Sequence, residues 1–149
     1  MENGISCTLR VTAPEPEVAR VTVRRHQFPV GRPVELDETS PRIAALEYAL
    51  GALAAEAVNG LRAFAARRRL EIDAIEALIT GELTHGLAYL EVVGEPTPPT
   101  IARIRLQVFV ATSDEAAVRK VWDELLDRLP LACTLRLAVP IEFDLTIRQ

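Results

Sequence analysis

The side chains with the most redox chemistry to offer are two thiols, Cys7 and Cys133. A thiolate attacks peroxides and disulfides when a neighbouring cation stabilises its charge. Two cysteines alone give no disulfide framework and no zinc pattern. His26 and His85 are the only histidines and lie far apart in sequence, so no metal centre is expected. The phosphate-binding patterns G-x-x-x-x-G-K-[ST] and G-x-G-x-x-G are missing, as are H-E-x-x-H, G-x-S-x-G and C-x-x-C. With seven glycines in the chain, a phosphate-cradling loop is not expected, and no cofactor is called for.

Cys133 follows Leu129 by four residues, so in a helix the two share a face. Two roles are open to it: a nucleophile, or an inert buried thiol. The second is the expected one, because burial without a cation disfavours the thiolate. Glu56, Asn59 and Arg62 form a polar stripe at i, i+3 and i+6. The stripe either lines an interface site, with Arg62 meeting an anionic ligand, or forms a solvated or interface ion pair, the plainer expectation. His26 reads as a strand-face residue, and Trp122 as core.

The first third reads as strands. Ile5, Cys7, Leu9, Val11 and Ala13 alternate with polar residues, which puts Cys7 on an apolar side. Pro14-Glu15-Pro16 marks a turn, Val21 and Val23 alternate in a second strand, and Val34-Glu35-Leu36 suggests a short third. Ser40-Pro41 then announces a long helix to about Arg68, with Ser as N-cap. At 100° per residue Ile43, Leu46, Leu50, Leu53, Leu61 and Phe64 gather on one side, and Ala45, Ala49, Ala52 and Ala55 on the other. The spacing predicts a buried central helix, its large face on a sheet and its small face approached by a second helix. Residues 70–83 fit helix or strand by periodicity. Ile104, Leu106, Val108 and Val110 alternate in a strand. Ser113-Asp114-Glu115 caps a helix with Val118, Val121, Trp122, Leu125 and Leu126 at 3–4 spacing. Pro130 restarts a helical turn, and Ile141, Phe143, Leu145 and Ile147 alternate in a last strand. This order gives a single α+β domain over residues 1–149.

At 149 residues, 49% apolar and 26% charged, the chain has the composition of one folded domain. Its net charge of -4 and its single basic run, Arg67-Arg68-Arg69, argue against nucleic-acid binding; three arginines at a helix end suit the helix dipole instead. The opening Met1-to-Ser6 segment lacks the pattern of a signal peptide. The most apolar stretch, 43–66, carries Glu47, Glu56 and Arg62, so no membrane span is expected and the cytoplasm is the expected address.

Two segments, Tyr48-Ala49-Leu50-Gly51-Ala52-Leu53 and Leu129-Pro130-Leu131-Ala132-Cys133-Thr134-Leu135, resemble the OsmC/Ohr family of small thiol peroxidases. In that family the first usually reads A-L-G-A-C and the second C-P-V-x-x-T-L. The resemblance extends from about Arg24 to Ile141. It takes in Val23 to Val30, Ser40-Pro41 with the alanine-leucine helix, Leu70-Glu71-Ile72 with Ile79-Thr80-Gly81 as a strand, and Ile101 to Phe109. It implies an OsmC-like fold, strands packed on the long central helix, and an intertwined homodimer with two sites at the subunit interface. It also implies reduction of organic hydroperoxides by a cysteine pair. Both cysteine positions hold leucine here, Leu53 and Leu129. The glutamate that family members carry early in the central helix is also unmatched, with Arg42 and Ile43 in its neighbourhood and Glu47 the nearest acid.

Three functions are compatible with this pattern. The leading one is a degenerate, non-catalytic OsmC-like protein, its former active site an apolar pocket of Leu53 and Leu129 for a small hydrophobic ligand. The second is a Cys133-dependent one-cysteine organic hydroperoxide reductase recycled by an external thiol. The third is a structural or assembly subunit.

Overall fold

The computed structural model describes residues 4–148; of the Met1-to-Ser6 segment, residues 1–3 lie outside them. The chain forms two compact units, one ending at Ala49 and the other beginning at Leu50.

The first unit is a three-stranded antiparallel meander of β1 (Arg10–Glu15), β2 (Val18–Val23) and β3 (His26–Val30). Two-residue turns join the strands, each with one left-handed residue, Glu17 (φ 63°) and Arg24 (φ 53°). Three details differ from the sequence expectation. The first strand starts at Arg10, because Arg10 pairs with Thr22 and β2 ends one residue later. Residues 4–9 have no partner strand among the described residues, and alternation without a partner forms no ladder, so Cys7 is exposed rather than on a core face. The turn lies at Pro16-Glu17, while Pro14 falls within β1 at a register irregularity, where an edge strand tolerates a residue with no N–H. Residues Val34-Glu35-Leu36 are not a strand: Glu35 accepts the Asp37 N–H, and Asp37 accepts the Thr39 N–H and hydroxyl. Those bonds hold both carboxyls below the usual carboxylate range, through the Asp37 N–H for Glu35 and the Thr39 hydroxyl for Asp37.

Helix α1 spans Ala45–Arg67 and so starts in the first unit, four residues past the expected Pro41. Its opening amides find partners elsewhere than Ser40. Ala45 and Leu46 donate to the carbonyls of Arg32 and Pro33, and the Glu47 carboxylate reaches back to accept the Ala44 N–H at 2.7 Å. That reciprocal bond is the glutamate half of a capping box. Tyr48 is anchored by its hydroxyl, which donates to the Pro29 carbonyl, and by its ring against Phe28.

In the second unit β4 (Ala74–Thr84), β5 (Thr100–Ala111) and β6 (Ile141–Arg148) form a sheet in that order. β4 and β5 run antiparallel, β5 and β6 parallel. The parallel pair requires a crossover, supplied by α3 (Glu115–Leu126) and α4 (Pro130–Leu135). Asp114 caps α3 as expected, accepting the Ala117 N–H. A further short helix, α2 (Gly86–Tyr89), follows β4, after His85 in the left-handed region (φ 54°).

One face of this sheet makes the core. Ile104, Leu106, Val108 and Val110 are all buried, together with Leu53, Ala57 and Leu61 of α1 and Val118, Val121, Trp122 and Leu125 of α3. Trp122 meets Phe143 edge-on at 6.4 Å. Gly81 of β4 lies under α1, where a Cβ would stand 2.8 Å from a methyl of Leu50. The opposite face is charged: Arg103 pairs with Glu82 at 2.8 Å and Arg105 with Asp144 at 3.1 Å.

The buried stripe of α1 is Leu53, Ala57, Leu61 and Ala65, mixing large and small residues. Ile43, expected on the large face, precedes the helix and is 52% exposed. Ala45, Ala49, Ala52 and Ala55 are exposed. The helix closes with Arg69 left-handed (φ 56°) and Leu70 donating to the Ala65 carbonyl. Its basic end is engaged within the fold, with Arg67 and Arg68 over the Phe64 ring and Arg68 paired with Glu124.

Candidate functional site

Leu53 and Leu129, 76 residues apart, enter one continuous core, at 0% and 4% exposure. Leu53 faces inward because it opens the i, i+4, i+8 stripe of α1. Leu129 is the residue before α4, in an extended conformation (φ −88°, ψ 112°). Its side chain seats on Gly60 of α1, two turns beyond Leu53. A Cβ at Gly60 would stand 2.8 Å from a Leu129 methyl and 3.0 Å from one of Leu125. The glycine here is a notch: only a residue without a side chain lets α3 and α4 come this close.

A helix that begins after leucine has no side-chain cap of its own, and Pro130 at its first position removes one donor but leaves the rest. Those donors turn to α1. The Glu56 carboxylate accepts the Leu131 N–H at 2.9 and 3.1 Å and the Ala132 N–H at 3.2 Å. A carboxylate against the positive end of a helix is favourable both as a charged acceptor and through the dipole. The polar stripe therefore divides. Glu56 is half-buried and committed to α4 rather than to Arg62, while Asn59 and Arg62 are exposed. The sequence signal for this was available: the donors of an uncapped helix start must find an acceptor somewhere.

Cys133 completes the first turn of α4, its N–H donating to the Leu129 carbonyl at 2.8 Å. Its thiol is half-buried and donates to the Leu126 carbonyl at 3.6 Å, while Arg136 donates to the sulfur, also at 3.6 Å. Arg136 is fixed in turn by Asp127 at 2.8 Å, and that hydrogen bond, followed by the field of Cys133, raises the guanidinium pKa. Sequence reasoning missed Arg136, although an i, i+3 spacing from Cys133 in a helix signals the contact. Cys133 thus has the cation that an isolated thiol lacks, whereas Leu129 on the same turn sits in the core.

His26 is exposed on β3, and His85 pairs with Glu95 at 3.3 Å. No group of three or more His, Cys, Asp and Glu among the described residues is placed to hold a metal ion. No described helix is long and apolar enough to cross a membrane.

No protein-family model and no curated protein sequence matches the chain. Solved structures do. An OsmC-like protein from Mycoplasma pneumoniae superposes with a TM-score of 0.79 at 16% identity, covering 100% of both chains. An organic hydroperoxide resistance protein from Elizabethkingia anophelis gives 0.71 at 8% identity, over 99% of this chain and 100% of that one. The organic hydroperoxide resistance protein OhrB of Bacillus subtilis gives 0.61 at 17% identity, over 93% and 98%. The antiparallel meander, the long helix and the mixed sheet with its two-helix crossover are therefore the OsmC-like fold, along essentially the whole chain.

Proposed function

We propose that this chain is an OsmC/Ohr-type protein in which the two-cysteine peroxidase centre has become an apolar site of Leu53 and Leu129, formed as a single domain in a homodimer. Such a site binds a small hydrophobic ligand and does no redox chemistry. The observation that carries this reading is that the two leucines, in segments resembling the family's cysteine segments, are buried in the same core. A two-cysteine cycle needs one sulfur to take oxygen from the peroxide and a second to displace it as a disulfide. Leucine offers neither step. The exposed alanines 45, 49, 52 and 55 support the dimer, since small residues let a second helix approach closely.

The Arg136 contact favours one other reading, a one-cysteine peroxidase at Cys133. There the thiolate takes one oxygen from ROOH, releases ROH and becomes a sulfenic acid. Two equivalents of an external thiol return it to the thiol, giving their disulfide and water. The two readings separate in one assay. Purified protein is mixed with cumene hydroperoxide and dithiothreitol, and peroxide loss is followed beside Cys133→Ser. The apolar-site reading expects no loss above the buffer rate in either protein. Turnover that disappears in Cys133→Ser overturns it in favour of the one-cysteine cycle.

A further inference from the structure

Leu129 has two positions at once: it is the residue that begins α4, and its side chain packs on Gly60 within the core. Leu129 immediately precedes the first turn of α4, so its side chain cannot leave Gly60 without moving α4. We infer that α4 is a gate over the Leu53–Leu129 site and that Glu56 is its latch. The inference rests on the apolar-site reading for what the gate admits, but the latch itself stands on geometry alone.

Helix α4 does not hold itself. At six residues it is far below the length at which an isolated helix is stable, and it has no cap of its own. What keeps it folded is a short set of contacts: Leu129 in the Gly60 notch, Ala132 and Leu135 in the core, the Glu56 carboxylate on two of its amides, and the bonds of Cys133 and Arg136 to Leu126 and Asp127. Of these, only Glu56 bonds the α4 backbone from another helix with a charged acceptor. The segment is also bounded by turns on both sides. Asp127 and Arg128 end α3, and the residues after Leu135 turn through Leu137, which is 87% exposed. Movement about those turns breaks the Cys133 bond to the Leu126 carbonyl and the Arg136 pair with Asp127, but leaves the backbone ladder of β6 with β5 in place. Thr134 bonds within α4, its hydroxyl donating to the Pro130 carbonyl, and so adds nothing to the hold on α1. Glu56 is accordingly a positioning residue, setting how often the gate opens.

Amide hydrogen exchange reads the latch directly, because Leu131 and Ala132 carry the latched N–H groups. In the unaltered chain these two amides exchange by a local opening, well before Val108 and Val110 in β5, which open only with the whole fold. In Glu56→Gln they exchange about tenfold faster or more, since a neutral acceptor replaces a charged one, while the β5 amides keep their rates. Exchange of Leu131 and Ala132 only in step with β5, in the unaltered chain and in the variant alike, overturns the gate. The measurement on the unaltered chain decides the matter even if Glu56→Gln fails to fold. Fluorescence of the apolar dye 8-anilinonaphthalene-1-sulfonate reads the ligand side separately. Stronger dye binding by Glu56→Gln supports a gate onto an apolar site. Fast local exchange with no dye binding in either protein keeps the latch and removes the ligand reading.

Discussion

The two sides of α4 carry opposite chemistry within one helical turn. Facing the core, the side chains of Leu129 and Ala132 are buried among apolar residues, Leu129 against Gly60 of α1. Facing outward, Cys133 touches Arg136, which is anchored by Asp127, and all three are reachable by solvent to some degree. Here the inner side holds Leu129, and a thiol with a cation beside it, Cys133, lies four residues on. The contrast teaches that neighbouring positions of one short helix meet opposite surroundings, apolar on one face and polar on the other.

The comparison breaks most severely at Leu53. Leu53→Ala opens a hole at the centre of the core and is expected to cost about 2–5 kcal/mol, because few atoms around a fully buried leucine can relax into the gap. Denaturant unfolding monitored through Trp122 measures it. Gly60→Ala attacks the same face by addition. The new methyl would stand 2.8 Å from the end of the Leu129 side chain, so Leu129 must shift, at an expected cost of about 1–3 kcal/mol. The same unfolding experiment reads that cost, and Cys133 alkylation, in a Cys7→Ser background, becomes faster as α4 loosens. On the outer face the expected effect on stability is smallest. Arg136→Ala removes an exposed ion pair with Asp127 and leaves stability almost unchanged. It also removes the guanidinium that donates to the Cys133 sulfur, so the rate of Cys133 alkylation changes while the stability holds. A large loss of stability in Arg136→Ala, or a negligible one in Leu53→Ala, would reverse the assignment of the two faces.

The sequence was most readable where one periodic face meets one partner. Ile104 to Val110 and Val118 to Leu125 alternate or repeat cleanly, and the core uses those positions as written. The last strand and the turn restarted at Pro130 were equally legible. The strand over Ala74–Thr84 fitted two periodicities and came from the family resemblance rather than from the residues. Where partners decide, the pattern failed. Ile5 to Leu9 alternate but have no strand beside them, and Ser40-Pro41 looks like a helix start that Glu47 and the carbonyls of Arg32 and Pro33 supply further on. The site divided in the same way. Leu53 and Leu129 came from the resemblance, and the structure buries both in one core, whereas the commitment of Glu56 to α4 is a contact between distant segments that no local pattern encodes. Arg136 was within reach of a spacing argument.

The central claim is that Leu53 and Leu129 stand where a reactive pair would stand. It is tested most directly by putting sulfur back: Leu53→Cys with Leu129→Cys, in a chain that also carries Cys7→Ser and Cys133→Ser. A disulfide forms only between side chains whose Cβ atoms lie a few ångströms apart. The account predicts that mild oxidation with diamide closes one intramolecular disulfide, seen by mass spectrometry as the loss of two hydrogens and by protection of both thiols from alkylation. Two thiols that stay free, or that join only between chains, would contradict it.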